Sequence, residues 1–464
     1  MLFSSLEFLF LFLPVVLALY FAVPMRFKNL LLLAGSLFFY AWGEPVYVVL
    51  MVVSIAVNYF LALVIERNRG TKTALAAVIG SIGISLLFLA FFKYADFVIE
   101  TLNGLPGVQI HDLDLPLPIG ISFYTFQILS YTVDVYRGNV EAQRDFITLA
   151  MYISLFPQLI AGPIVRYRTI VEDLARRTHT MEGFAEGAQR FTVGLAKKVI
   201  VADNIGLLWT AALEPSEPSV LLAWLGVIGF AFQIYFDFSG YSDMAIGLGR
   251  MFGFRFPENF NYPYISRSVT EFWRRWHISL GRWFRDYVYI PLGGNRVSYV
   301  KWIRNVFVVW FLTGLWHGAA WNFAIWGVYF GILLWAERTF LAAFLERLPR
   351  FVGHLYLLVA VLFSWVVFQL ETPAQIFGYF ADMFALGGLP AANAEAVSLL
   401  RSNLVLLVVA VIGATPLAKR LADLAIGRPA VRRALAPAVN GLLLVVSYGY
   451  LVDSTFSPFL YFRF

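Results

Sequence analysis

Long apolar runs separated by short polar loops extend along the whole chain. Many of these runs approach the length of about 20 residues that a helix needs to cross a membrane. An unbroken apolar run of that length is typical of a helix surrounded by lipid. The pattern predicts an all-α polytopic membrane protein with roughly eleven to thirteen transmembrane and re-entrant helices. The runs lie at residues 2–23, 28–42, 45–65, 73–98, 116–133, 147–163, 190–212, 218–238, 303–316, 320–341, 352–370, 400–417 and 434–452.

The run at residues 147–163 differs from the others because two prolines and a glycine interrupt its last part. The basic residues on either side, Arg137 and Arg166, both favour the cytosolic side of the membrane. One complete crossing between them would place them on opposite sides. We therefore predict a re-entrant hairpin near Phe156–Pro163, whose irregular backbone has to be shielded by protein or water.

Basic residues also predict the orientation of the chain. They cluster near Arg26, Arg69 and Arg176, whereas the loop at residues 100–114 contains acids and no Lys or Arg. Because basic loops stay on the cytosolic side, we expect these clusters in the cytosol. The run at residues 2–23 has no basic n-region and no cleavage site, so we expect it to be the first span. The N-terminus would then face the periplasm or lumen.

Composition narrows the possible functions. Hydrophobic residues make up 60% and charged residues 14% of the 464 positions, with a mean hydropathy of +0.73, so most of the chain has to lie in lipid. No cysteine is present, which excludes disulfides, thiolate metal sites and a cysteine acyl-enzyme. The net charge of +6 fits basic cytosolic loops and an anionic ligand, and we expect no nucleic acid binding.

The segment at residues 250–304 contains ten basic residues and interrupts the apolar pattern. Trp273, Trp276, Leu280 and Trp283 recur within it at helical spacing, beside a basic face. The pattern predicts a cytosolic helix that lies in or dips into the membrane interface. Arginine forks onto phosphates and aromatic rings stack on a base, so the segment suits an anionic donor that carries adenine.

Two of the five histidines, His277 and His317, are candidates for chemistry. His317 lies in apolar sequence between two runs, and an ionisable residue at such depth is a functional hypothesis by default. A packing role, with the ring bonded to a backbone carbonyl, is the alternative. Burial keeps an imidazole neutral, as a general base requires, and His317 fits this role better than His277. For His277, an interfacial position without a chemical role is the alternative.

Asp237 and Asp243 flank a short polar stretch at the end of an apolar run. Their carboxylates could orient a histidine or a ligand, or could cap a helix break at Gly240, and the sequence leaves both open. The sequence contains no G-x-S-x-G, H-E-x-x-H or Walker motif. Serine hydrolase, metalloprotease and nucleotidase functions lose support, and no metal site is predicted.

Six motifs carry a resemblance to a known family. They are Pro118–Tyr124, Asp134–Gly138, Phe156–Pro163, Tyr235–Gly247, Glu271–Ser279 and Gly314–Gly318. With these motifs the sequence resembles the membrane-bound O-acyltransferases, and within them the bacterial branch that acetylates alginate, which is related to the proteins that D-alanylate teichoic acid. Residues 1–340 form the distinctive core, and residues 341–464 would add C-terminal transmembrane helices. Since no internal repeat is present, we expect one integral domain over residues 1–464.

This resemblance implies a fold and a chemistry. The fold would be a ring of tilted helices around a central tunnel, with His317 at its midpoint as general base and His277 as a second polar site. The donor would be acetyl-CoA, a substrate, with no tightly bound cofactor. Further candidates for contact with the donor or the tunnel are Asp237, Asn259, Arg274, Arg275, Trp276 and Trp316.

The sequence therefore predicts an enzyme that carries an acetyl group from cytosolic acetyl-CoA across the inner membrane. The acceptor would be an exported polysaccharide, with alginate as the first choice and peptidoglycan or cellulose as alternatives. The resemblance also implies a periplasmic partner similar to SGNH hydrolases, so that contact with the polysaccharide is indirect. A proton-coupled transporter or flippase, with His317 and Asp237 as proton relays, is the alternative from another class.

Overall fold

The computed structural model describes residues 1–160, 162–426, 429–453 and 460, with side chains outside residues 425–434. All regular elements in these ranges are helical, as predicted. The chain forms two compact units. Unit 1 comprises Met1–Phe191 and Tyr241–Pro257, and unit 2 comprises Thr192–Gly240 and Glu258–Phe464. The expectation of a single integral domain stays a prediction.

The described residues up to Ala196 form nine α-helices. A π-helical turn, Phe8–Phe12, precedes the first of them. They are α1 Leu13–Ala22, α2 Met25–Ala41, α3 Tyr47–Arg67, α4 Lys72–Asn103, α5 Ile121–Tyr136, α6 Phe146–Ser154, α7 Phe156–Leu159, α8 Tyr167–Ala175 and α9 Met181–Ala196.

The remaining described residues form fourteen further α-helices. Three π-helical segments, Lys197–Ala202, Arg285–Tyr289 and Glu337–Leu341, and a 3₁₀ turn at Pro263–Ile265 lie between them. The α-helices are α10 Asp203–Ile205, α11 Leu207–Leu213, α12 Val220–Met251, α13 Val269–Arg275, α14 Ile278–Phe284, α15 Tyr299–His317, α16 Trp321–Ala336, α17 Ala342–Glu346, α18 Arg350–Gln369, α19 Pro373–Met383, α20 Ala394–Ser402, α21 Leu404–Gly413, α22 Leu417–Ile426 and α23 Pro429–Asp453.

Six described helices are long and apolar enough to cross a membrane, and the bent pair α20–α21 would make a seventh. The protein is therefore a multi-pass membrane protein. The other predicted runs form helices that are shorter, such as α1, interrupted, or less apolar, such as α15 with Lys301 and Arg304 near its start. The spanning helices are Tyr47–Arg67, Lys72–Asn103, Val220–Met251, Trp321–Glu346, Arg350–Gln369 and Leu435–Asp453.

The interrupted run at residues 147–163 folds in unit 1 as an irregular, buried segment. Helix α6 ends at Ser154, because Leu155 leaves the helical region of backbone space with a ψ of 110°. Only the four-residue α7 follows, and the described residues from Gly162 to Val165 are non-helical and buried. The described residues of this segment are shielded by the protein, as predicted, and Ala161 lies outside the described residues. The re-entrant course of the segment stays a prediction.

In unit 2, α15 and α16 form a tight antiparallel hairpin. A Cβ on Gly314 would overlap the carbonyl oxygen of Phe323, and a Cβ on Gly327 would overlap that of Trp310. Glycine at both positions therefore lets the two backbones touch. Helix α15 ends at His317, because Gly318 is extended with a φ of −163°. The close approach of the helices fixes where the His317 ring lies.

The predicted continuous helix through Trp273 and Trp283 is wrong. The structure has two short helices, α13 and α14, with a break between them at His277. His277 has a φ of +42°, in the left-handed region that non-glycine residues seldom occupy. It is also buried inside the protein, with 1% of its surface exposed, and the position of this segment at the membrane interface stays a prediction.

Candidate active site

His317 lies at the last position of α15, within a group of aromatic rings in unit 2. Its ring centroid is 5.1 Å from that of Trp316, 5.1 Å from that of Trp326 and 5.4 Å from that of Phe368. Only 4% of its surface is exposed. These rings restrict the imidazole to one region and keep bulk water away, as a positioned general base requires.

His277 is held by a hydrogen-bonded loop. The backbone carbonyl of Asn259 accepts the N–H of Ile278 at 2.9 Å. The Oδ1 atom of Asn259 accepts the N–H of Ser279 at 3.2 Å and its hydroxyl at 2.8 Å. Because Asn259 is completely buried, these bonds lie away from solvent and stabilise the chain break beside His277. Burial lowers the pKa of His277 to about 3, so its imidazole is neutral at pH 7.

Trp316 connects the two histidines. Its ring centroid lies 5.7 Å from that of His277 and 5.1 Å from that of His317. Phe238 of α12 packs against His277, with 4.7 Å between the two ring centroids. The structure therefore brings three of the predicted residues, His277, Trp316 and His317, into one cluster.

A cavity of about 730 Å³ opens beside this cluster, and all of its lining residues belong to unit 2. Its volume lies within the range of sites for small organic ligands and cofactors. His277 lines it directly, and so does Thr313, one helical turn before His317 on α15. Its basic and aromatic lining includes Trp273, Arg274, Arg282, Phe284, Arg285, Tyr289, Trp302, Trp310 and Arg338.

The lining combines cations with stacking surfaces. The guanidinium carbon of Arg338 lies 4.3 Å from the ring centroid of Trp302. Trp273 contacts Trp310 at 4.6 Å between centroids and also contacts Trp326 at 5.6 Å. Since Trp326 touches His317, a continuous path of rings joins the cavity to that histidine. Arginine forks and flat rings are the groups that recognise phosphates and a nucleobase.

The helix that carries Trp273 and Arg274 is positioned by a buried carboxylate. Glu337, 3% exposed, accepts the backbone N–H groups of Val269 and Thr270 and the hydroxyl of Thr270. These N–H groups lie at the N-terminus of α13, where a negative charge is most favourable. Glu337 therefore caps α13 and holds one wall of the cavity.

Two other residues predicted for this segment lie outside the cavity lining. Arg275 forms an ion pair with Glu271 at 3.0 Å and donates to the carbonyl of Asn261. Trp276 is buried and stacks on Phe272 at 5.5 Å between centroids. Both side chains stabilise the loop and the helix around His277, and a contact of either with a donor stays a prediction.

Asp237 also has partners of its own in unit 2. Its Oδ1 lies 2.8 Å from the ammonium of Lys198, and its Oδ2 accepts the N–H of Leu460 at 2.8 Å. The cap at Gly240 considered from the sequence is wrong, because α12 continues through that residue. Asp237 is one position from Phe238, so the ion pair helps to fix the part of α12 that touches His277.

The sequence did not single out Trp326, Phe368, Trp302 or Arg338. The first two surround His317, and the last two form the cation–π pair in the cavity. All four come from apolar runs or their ends, where an aromatic residue normally indicates lipid contact. The available signal was the short apolar hairpin after His317, which returns Trp326 to its vicinity. No group of three or more metal-ligating side chains occurs among the described residues.

This arrangement can hold an anionic, aromatic ligand beside a neutral imidazole. The cavity supplies charge and stacking surfaces, His277 lies on its wall, and His317 lies one ring further inside. A general base near a bound acyl donor is the minimum that acyl transfer to a hydroxyl requires.

Comparison with known proteins identifies relatives of this chain. The chain is similar to the probable alginate O-acetylase AlgI of Azotobacter vinelandii, with 42% identity over 100% of both chains. It is 46% identical to the Pseudomonas aeruginosa protein of the same name, over 83% of this chain and 75% of the relative. It is 35% identical to the peptidoglycan O-acetyltransferase of Helicobacter pylori, over 84% of this chain and 80% of the relative.

The family model described as MBOAT, membrane-bound O-acyltransferase family, matches residues 141–374. That range contains both histidines and every residue named above in the cavity lining. Because the members of this family are acyltransferases, the match also argues against the transporter alternative. The chain belongs to the membrane-bound O-acyltransferase family.

Proposed function

We propose that this protein binds acetyl-CoA in the 730 Å³ cavity of unit 2 and transfers its acetyl group to a hydroxyl acceptor at His317. The transferred acetyl group is destined for an exported polysaccharide. The observation that carries the proposal is the cavity itself, in which four arginines and three tryptophans surround a space that reaches His277.

The donor fits the cavity by charge and by shape. Coenzyme A carries phosphates, which Arg274, Arg282 and Arg285 can bind as charged forks. Its adenine can stack on an indole ring, as the guanidinium of Arg338 does on Trp302. The thioester end then points toward His277 and the ring cluster. A cytosolic origin of the donor follows from the predicted cytosolic position of these basic residues.

The reaction needs one base and one leaving group. The imidazole of His317 accepts the proton of the acceptor hydroxyl while its oxygen attacks the thioester carbonyl. The C–S bond breaks, the acetyl group forms an ester, and the thiolate of coenzyme A takes up the proton. His277, neutral and fixed by the Asn259 loop, positions the donor or the acceptor at the cavity wall.

The nature of the acceptor is supported by the relatives. Relatives are named for acetylation of alginate and of peptidoglycan, both of which are exported polysaccharides. Alginate is our first choice, because the relatives with full-length coverage carry that name. Peptidoglycan is the second, and cellulose would need the same chemistry.

We further propose that the acetyl group reaches the polysaccharide through a periplasmic partner similar to SGNH hydrolases. His317 is only 4% exposed, and three aromatic rings surround it. A small group can reach such a site, whereas a polysaccharide strand cannot enter it without displacing these rings. A serine hydroxyl of the partner, presented on a narrow segment, is a suitable first acceptor.

Binding of radiolabelled acetyl-CoA to the purified protein tests the donor site. The double variant Arg274→Gln/Arg282→Gln removes two cavity cations and should weaken binding at least about tenfold, as expected when charged partners of phosphates are lost. The control Arg296→Gln/Arg347→Gln removes the same charge from exposed positions outside the lining and should bind like the wild type. Equal affinity of both double variants, or no saturable binding by the wild type, would contradict the proposal.

A further inference from the structure

Unit 1 contains two buried cations, Lys28 and Arg177. Lys28 at the start of α2 is 8% exposed, and Arg177, after α8, is 7% exposed. Neither side chain forms an ion pair among the described residues. A buried charge without an opposite charge is costly, so such groups usually have a partner.

Both cations lie over the same aromatic ring. The ammonium of Lys28 is 4.2 Å from the ring centroid of Tyr20, and the guanidinium carbon of Arg177 is 5.9 Å from it. Arg177 also lies 4.5 Å from the ring centroid of Phe254. Aromatic faces attract cations and partly compensate for lost hydration, but they supply no hydrogen-bond acceptor in the plane of the guanidinium.

The hydrogen-bonding capacity of Arg177 is largely unused. Its Nη2 donates to Oδ1 of Asn29 at 2.7 Å, whereas Nε and Nη1 are buried without a hydrogen-bond partner among the described residues. The Tyr20 hydroxyl donates to the carbonyl of Phe252, and its oxygen also interacts with Arg177 as a side-chain hydrogen-bond partner. The N–H groups of Nε and Nη1 remain for an external acceptor.

The other polar groups nearby supply less negative charge than the two cations supply positive charge. The Tyr20 hydroxyl contacts Nε2 of His179 at 2.8 Å. Burial and the charge of Lys28 lower the pKa of His179, so its imidazole is neutral at pH 7. The carboxylate of Asp173 acts on Arg177 electrostatically without forming an ion pair with it, and its Oδ2 accepts the backbone N–H of Arg255. One carboxylate beside two cations leaves the site with a net positive charge.

A path for a ligand leads past Asn29. This residue lines a cavity of about 340 Å³, together with Arg26, Gln143 and Thr148. The atoms Nε and Nη1 of Arg177 are covered in this structure. A ligand would enter through the cavity, where Arg26 meets it, and rotation of Asn29 would open the way to Arg177.

We infer that Lys28 and Arg177 form a binding site for a phosphate group. Tetrahedral phosphate offers several strong acceptors to the guanidinium fork and accepts an ammonium as a point charge. The phosphate comes either from an anionic lipid headgroup or from a free phosphate, and the chemistry at the site is the same. Both cations belong to clusters predicted in the cytosol, where anionic headgroups attract basic residues. The inference is independent of the proposed acetyl transfer.

Thermal unfolding of the purified protein in a neutral detergent tests this site. The probes are inorganic phosphate, dioctanoyl phosphatidylglycerol, and dioctanoylglycerol, which lacks the phosphate. We expect a saturable rise in Tm with phosphatidylglycerol and none with dioctanoylglycerol, because a ligand that binds only the folded state stabilises it. If inorganic phosphate raises Tm as much as phosphatidylglycerol does, a free phosphate is sufficient for binding. If inorganic phosphate does not raise Tm, the ligand is the lipid headgroup.

Charge-matched variants locate the binding. Lys28→Gln/Arg177→Gln should weaken the response at least about tenfold, whereas Arg67→Gln/Lys72→Gln, which removes an exposed arginine and an exposed lysine outside this cavity, should keep most of it. If the double variant does not fold, Arg177→Lys serves in its place. This variant keeps the charge and loses the guanidinium fork, so it should bind with an intermediate affinity. The inference fails if neither phosphate probe raises the Tm of the wild type saturably, or if the two double variants respond alike.

Discussion

The two histidines of the site are placed by different means. His317 ends a regular helix of 19 residues, and aromatic rings surround it. His277 lies at the break between α13 and α14, where its backbone is left-handed. The hydrogen bonds that Asn259 accepts from Ser279 hold the chain beside it. Packing against rings tolerates the loss of one polar atom, whereas a loop built on buried hydrogen bonds does not. Replacement of His317 and replacement of His277 should therefore differ in their effects on rate and stability.

The largest expected effect is that of His317→Ala on acetyl transfer. Loss of a positioned general base lowers the rate by about a hundred- to ten-thousand-fold. Donor binding should persist, because His317 does not line the cavity. Steady-state transfer and donor affinity would be measured together, with His111→Ala as a control at an exposed histidine in unit 1. Transfer within a few-fold of the wild type would make His317 a packing residue.

A smaller effect is expected at His277, and it should depend on the replacement. Asn keeps a hydrogen-bonding side chain and tolerates a positive φ, whereas Ala does neither well. His277→Asn should therefore retain more activity and a higher Tm than His277→Ala. Equal and complete loss of transfer in two folded variants would mean that His277 itself carries a proton, and would remove the distinction drawn between the two histidines.

The loop behind His277 can be weakened without touching either histidine. Asn259→Ala leaves the N–H and the hydroxyl of Ser279 without their acceptor, which should cost about 1–3 kcal/mol of stability. Ser279→Ala removes only the hydroxyl bond and should cost less. Chemical denaturation gives both values. If Asn259→Ala slowed transfer no more than Ser279→Ala, the loop would not position His277.

Replacement of Arg274 should change mainly KM, whereas replacement of its neighbour Arg275 should change mainly Tm. Arg274 lines the cavity, so Arg274→Gln should raise KM for the donor several-fold with little change in Tm. Arg275 pairs with Glu271, so Arg275→Gln should lower Tm slightly and leave KM near the wild-type value. The reverse outcome would show that the donor lies on the other face of α13.

The smallest effect concerns pH. The pKa of His277 is lowered by burial to about 3, below the value of about 6.5 for an unfolded chain. Between pH values of about 6.5 and 3, the unfolded chain binds a proton at this histidine that the folded chain does not bind. The stability of the folded chain therefore falls as the pH decreases through this range. Between pH values of about 7 and 5, Tm should fall less in His277→Asn than in the wild type. Parallel curves would mean that His277 is solvated.

Some of this architecture could be predicted from the sequence. Long apolar runs predicted the spanning helices, and the position of His317 in apolar sequence made it a candidate for function. The break at His277 could not be predicted, because the aromatic spacing around it continues at a helical period. The break depends on Asn259, a residue distant in sequence. Likewise, the cavity wall contributed by Trp302 and Arg338 arises only when the chain folds back.

Buried ion pairs show the same limit. Asp237 was predicted near the donor because of its motif, but its carboxylate is engaged by Lys198, which lies on a π-helical segment. Nothing in either local sequence indicates that these two side chains meet. The motif marked a part of α12 that matters for the site, through Phe238 against His277, without showing which side chain makes the contact.

Transfer of radiolabelled acetyl across a sealed bilayer shows whether the protein carries the acetyl group from one side of the membrane to the other. Proteoliposomes would receive acetyl-CoA outside and contain the partner transferase with an intact nucleophilic serine inside. In vesicles where unit 2 presents its cavity outward, we expect label to reach the enclosed partner with wild-type protein and not with His317→Ala. Labelling that requires donor and partner on the same side of the membrane, or that proceeds equally with His317→Ala, would contradict this expectation.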